Sequence, residues 1–165
     1  MRLMAFILLL VAAVFHQSLV RASRNSPDDV LTAVIPELRH QDFYPVTDGN
    51  PVPEIRTEFD DHWLQGHSPE IFEGLESIHV LNVRKSQPIG RDYYPEVVLE
   101  IWVYESDEQP VRTVSQLDSL QDAAWVFKTP ADYWSQDEWF IYTHTRAEMF
   151  SPYLQNVTET LRDLL

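Results

Sequence analysis

Residues 95–104, PEVVLEIWVY, limit this chain more than any other segment. In an extended strand, successive side chains point to opposite faces, so every second residue shares a side. Val97, Leu99, Ile101 and Val103 then form one wholly aliphatic face, and Glu100, Trp102 and Tyr104 stand on the other. Such a strand needs apolar cover on its first side. On its second side it presents a carboxylate between rings.

Three further runs are rich in β-branched and aromatic residues and bounded by turn signals: 77–85, 123–128 and 138–145. In the last, Trp139, Ile141, Thr143 and Thr145 alternate with Phe140, Tyr142 and His144. Between the second and third strands, Val111, Val114, Leu117 and Leu120 recur at helical spacing over 107–121. After the fourth strand, Tyr153, Leu154, Val157, Leu161 and Leu164 form the stripe of an amphipathic helix.

The order is strand–strand–helix twice. It predicts an α+β fold with an antiparallel sheet of about four strands, and both later helices on one face. An N-terminal helical and loop segment precedes it, with Val30, Leu31, Val34, Ile35 and Leu38 on one helix face and Pro36 ending or kinking that helix. Ile55, Thr57 and Phe59 alternate as a short edge strand. Ser26-Pro27, Ser68-Pro69, Thr129-Pro130 and Ser151-Pro152 each read as a helix start, a capping hydroxyl before a proline that needs no partner for a missing N–H.

The chain opens with Arg2, an apolar run from Met4 to Phe15, and small or polar residues up to Ala22. This pattern predicts a cleaved secretory signal over 1–22 and one globular domain over 23–165. Retention of the segment would instead give a membrane-tethered structural subunit. There is no cysteine, so stability in an oxidising compartment rests on packing alone. Secreted or periplasmic placement in a cell envelope follows from the signal.

Charge narrows the partners. Twelve basic residues stand against 26 acidic ones, net −14, and about −16 once Arg2 and Arg21 leave with the signal. That field repels phosphate backbones and anionic lipid surfaces, so neither nucleic acid nor peripheral binding to an anionic membrane is expected. The expected partner is a protein or small ligand.

Chemistry-bearing motifs are few. GxSxG, a glycine-rich phosphate loop, HExxH and an EF-hand loop are all missing, and no cofactor is expected. The segment 60–70, DDHWLQGHSPE, collects His62 and His67. Five residues apart, they cannot share a metal on a helix. In a loop they could, with a distant third ligand such as His79 or His144, which gives a metal-binding or metal-dependent alternative. The simpler expectation is a loop running into a capped helix over 69–75, with Leu64 packing inwards.

The leading expectation is a non-catalytic exported binding domain that uses the ring-bearing sheet face. Its contacts would be Trp102, Tyr104, Tyr142 and His144, because Trp and Tyr combine an apolar body with a polar handle. Residues 27–75 folded over that face would make it core instead.

Overall fold

The computed structural model describes residues 26–46, 53–62, 64–66, 68–120 and 130–165. The expected signal segment, Trp63, His67 and the expected strand 123–128 lie outside these residues.

Helix α1 spans Pro27–His40. Ser26 caps it through a reciprocal pair: its Oγ accepts the Asp29 N–H at 3.1 Å, and the Asp29 carboxylate accepts the Ser26 N–H at 3.1 Å. Pro36 lies within the helix without ending it. The buried stripe of Val30, Leu31, Val34, Ile35 and Leu38 runs past the proline on both sides, so tertiary packing holds the helix together where one backbone bond is missing.

Strands β1 (Phe43–Pro45) and β2 (Glu54–Arg56) both pair with the outer edge of β3 (Leu75–Lys85). β3 pairs with β4 (Glu96–Tyr104), and helix α2 (Glu108–Leu120) follows. The hairpin of β5 (Ala131–Gln136) and β6 (Trp139–Thr145) adds to β4, and helix α3 (Ser151–Arg162) closes the chain. The sheet is antiparallel and six-stranded, in the order β1–β3–β4–β6–β5, with β2 beside β1 on β3.

The α+β class and the antiparallel sheet agree with the sequence reading; three further details differ. Ala131–Gln136, expected as a connection entered by a helix start at Pro130, is an edge strand. Asp137 makes this possible: at φ +54° it forms, with Glu138, a two-residue turn that returns the chain at Trp139, and aspartate tolerates the left-handed region. Ser68 and Ser151 cap nothing with their side chains; Ser68 precedes only a short 3₁₀ turn, Pro69–Phe72, and the N-cap of α3 is Phe150.

The third difference concerns layers. The two later helices lie on opposite faces. α1 and α3 cover the aliphatic side, where Leu31, Leu38, Leu154, Val157 and Leu161 meet Leu81, Val97, Leu99 and Ile101. α2 instead places Leu117 on the ring-bearing side with Trp102, Tyr104, Phe140 and Tyr142. The arrangement is physically required, because α1 and α3 already fill the aliphatic face and the large rings need cover of their own.

The middle of the aliphatic core is its most sensitive point. Leu99→Ala is expected to lower unfolding stability by about 2–5 kcal/mol. Val111→Ala, on the outer side of α2 where the side chain is 56% exposed, should stay within about 0.5 kcal/mol. Denaturant midpoints for the two variants check this.

Candidate functional site

β4 delivers a carboxylate into the ring-bearing layer. Glu100 is 4% exposed. Two residues on, the Trp102 indole Nε1–H donates to Glu100 Oε2 at 2.7 Å. From β6, His144 Nε2 stands 3.3 Å from Oε1. A carboxylate only accepts, so that nitrogen carries the hydrogen. From the covering segment, His62 Nε2 lies 3.8 Å from Oε2. His62 Nδ1 accepts the Leu64 N–H at 3.3 Å, which leaves its proton on Nε2, facing the carboxylate.

Rings surround the cluster. His62 meets Trp102 edge-on at 5.0 Å between centroids, Phe72 approaches Trp102 at 5.3 Å, and Tyr142 stacks on His144 at 4.8 Å. Burial is the largest influence on the Glu100 carboxyl and pushes its pKa up. The hydrogen bonds and charges of His144 and His62 together outweigh burial, and hold it at about 2. Burial raises both phenols, Tyr104 and Tyr142, well above the usual tyrosine range. The Tyr104 hydroxyl donates to the Ile71 carbonyl at 2.6 Å and lies 3.1 Å from Thr113 Oγ1, which ties the covering segment to β4 and α2.

The structure brings Trp102, Tyr104, Tyr142 and His144 to one face, and seals three of them. Trp102, Tyr142 and Tyr104 are core residues under the 59–72 segment and α2, so they offer no open surface; the His144 side chain keeps 23% exposure. Leu64 is fully buried, as expected of the 60–70 loop. His62 is occupied with Glu100 and Trp102. Among the described residues no group of three or more histidine, aspartate or glutamate side chains is placed to hold a metal, and His67 lies outside them. Two surface hollows, of about 430 and 840 Å³, lie at β1 with α3 and at residues 54–61; Glu100 lines neither.

Beyond this cover the described residues of the same face are less deeply buried. Pairing across the sheet aligns Asn82, Val98, His144 and Ala131 in one row, all half-buried. Val46 continues β1 by donating its N–H to the Asn82 carbonyl at 2.8 Å. Tyr44 pairs with Arg84, whose guanidinium bonds Glu96 at 2.8 Å. Tyr44 and Val46 are 45% and 37% exposed. Sequence reasoning missed this patch because nothing in FYPV signals that β1 joins β3 in this register.

It also missed a second constellation, on the aliphatic side. Asp28, in the first turn of α1, places Oδ1 2.7 Å from His79 Nδ1. His79 Nε2 lies 3.0 Å from Ser77 Oγ. Ser77 and His79 share a face by strand alternation, which the sequence does show; Asp28, 51 positions away from His79, leaves no such sign.

No family model, no curated protein and no solved structure matches the chain.

Glu100 carries a dependence on acidity. Its carboxyl titrates from 4.5 ordinarily to about 2 in the fold, so its ionisation stabilises the fold above pH 4.5 and that contribution is lost as pH falls towards 2. Glu100→Gln should destabilise the fold by about 1–3 kcal/mol at neutral pH, because an amide in place of the carboxylate turns an NH2 donor towards the Trp102 and histidine donors and leaves buried polar groups unpaired. The gap to the unaltered protein should narrow between pH 4.5 and 2. Chemical unfolding across that range checks both.

Proposed function

We propose that the protein is an exported binding domain whose contact surface is the open half of the ring-bearing sheet face. The partner is a protein that lays an apolar surface on Tyr44, Val46 and Val98 and reaches His144 at the border of the covered half. The observation that carries this reading is the exposure of Tyr44 and Val46 beside a half-buried row of the same sheet face. Aromatic and aliphatic side chains grouped on an uncovered sheet face are the ordinary composition of a contact surface. Rigidity supports it too: the neighbouring half of the face is locked by the Glu100 cluster, so the open half is presented without reorganisation.

Of the four residues expected as contacts, His144 retains that part. It offers an imidazole edge next to the patch. Trp102, Tyr104 and Tyr142 act from beneath, as the support on which His144 stacks. The net charge of −14 favours a partner whose contact surface is neutral or basic, and disfavours nucleic acid and anionic lipid.

A photo-reactive phenylalanine analogue at position 44, activated in the native envelope or secreted fraction, is expected to give one discrete adduct. The same probe at position 111, on the outer side of α2, is expected to give none. A Tyr44→Ala, Val46→Ser variant should lower affinity for the captured protein at least tenfold, with its thermal midpoint moved by no more than a few degrees. Equal adducts from both positions, or none from position 44, would contradict the assignment.

A further inference from the structure

On the opposite face the structure assigns a second activity: we propose that Ser77, His79 and Asp28 form an acyl-transfer centre that hydrolyses small uncharged carboxylic esters. A carboxylate only accepts hydrogen bonds, so the 2.7 Å contact to Asp28 fixes the hydrogen of the neutral imidazole on Nδ1. The lone pair is then on Nε2, and it points to the Ser77 hydroxyl at 3.0 Å. A hydroxyl held against a base, with that base oriented by a carboxylate, is the arrangement that makes serine a nucleophile.

Access and surroundings fit the same chemistry. His79 is nearly buried and Ser77 is half-buried, so the base is sheltered and the nucleophile reachable. The pairing of β3 with β4 is irregular between Leu75 and Ser77, a local kink of the kind that re-aims a side chain. Ser77 lies beside Val103, which lies beside Trp139; all three face the same way and are half-buried. Ile55, 53% exposed, pairs with His79. These side chains make an apolar shelf for an acyl group. α1 begins at this end of the sheet, with Asp28 against His79. Asp29 and the chain's net −14 turn anionic substrates away, hence the restriction to uncharged esters.

In the first step Ser77 Oγ bonds to the ester carbonyl carbon, its proton passes to His79 Nε2, and the carbonyl π pair moves onto oxygen. Collapse of that intermediate breaks the carbon–alkoxy bond, and His79 returns the proton to the departing alcohol. Water then attacks the acyl-serine, gives its proton to His79, and the Ser77 oxygen leaves and recovers that proton. The sum is ester plus water to acid plus alcohol. Ser77 and His79 are the catalytic residues. Asp28 is a positioning residue, holding the imidazole tautomer.

The test is covalent labelling of the full chain with a fluorophosphonate, followed by mass spectrometry of the modified peptide, alongside hydrolysis of p-nitrophenyl acetate. A single adduct on Ser77 is expected, lost in Ser77→Ala. Asp28→Asn should slow labelling at least a hundredfold, and Asp28→Glu, which keeps a carboxylate acceptor for the imidazole N–H, should recover at least a tenth of the original rate. A purely structural tether would lose or keep labelling alike in the two variants. These substitutions are mild, and thermal midpoints within a few degrees of the unaltered protein show that the fold is kept. No adduct on Ser77, or equal labelling of the Asp28→Asn variant, would overturn the proposal. The position 44 crosslink is independent of this outcome, since the two sites lie on opposite faces.

Discussion

A charge sealed among rings organises one side of this molecule. The Glu100 carboxylate sits in a layer of Trp102, Phe140, Tyr142 and Phe72, where an isolated charge would be very unfavourable. It is tolerated because three donors reach it from three elements: the Trp102 indole from its own strand, His144 from β6, and His62 from the covering segment. The same contacts therefore fix how the segment 59–72 lies on the sheet. Tyr104, bonded to the Ile71 carbonyl, makes a second tie at the other end of that segment. Gly74 completes the arrangement: at φ +68° it turns the chain into β3 and lets the Gln109 side chain of α2 come close enough to bond the Glu73 carbonyl at 3.0 Å.

This division of the ring-bearing face has a functional consequence. Where the cover lies, large aromatic side chains behave as core; at the row of Val98 and His144 the described side chains are only half-buried. His144 belongs to both halves, stacked on Tyr142 and bonded to Glu100 on one side, partly exposed on the other. A partner docking there would meet a surface whose support is already in place. The aliphatic face is used differently. Its centre is filled by α1 and α3, with Thr158 of α3 bonded to Thr143 of β6 at 2.7 Å, and at the N-terminal end of α1 Asp28 meets His79.

Much of this architecture was legible in the sequence. The alternation in 95–104 and 138–145 fixed which side chains share a face, and pairing across the sheet places Trp102 opposite Phe140 and Glu100 opposite Tyr142 on one side. The stripe of Leu154, Val157 and Leu161 gave the last helix and its buried side. The side taken by α2 was not legible. An amphipathic helix states that it needs cover, not which sheet face supplies it, and only the prior claim of α1 on the aliphatic side decides. Nor was the closure of the ring-bearing face. Its lid draws on Phe59, Leu64, Ile71 and Phe72, scattered through a segment whose Gly66, Pro69 and charges read as loop. Asp28 and Tyr44 gained their partners through long-range packing, which local spacing does not encode.

The ring-bearing layer depends on Glu100 being ionised within it and held there by His62 and His144. Carbon-13 NMR of the Glu100 side-chain carboxyl, followed through an acid titration of the folded protein, measures this directly. A midpoint near 2 is expected. A midpoint at or above the ordinary 4.5 would mean that burial outweighs the histidines, and that the segment 59–72 is not held by that charge.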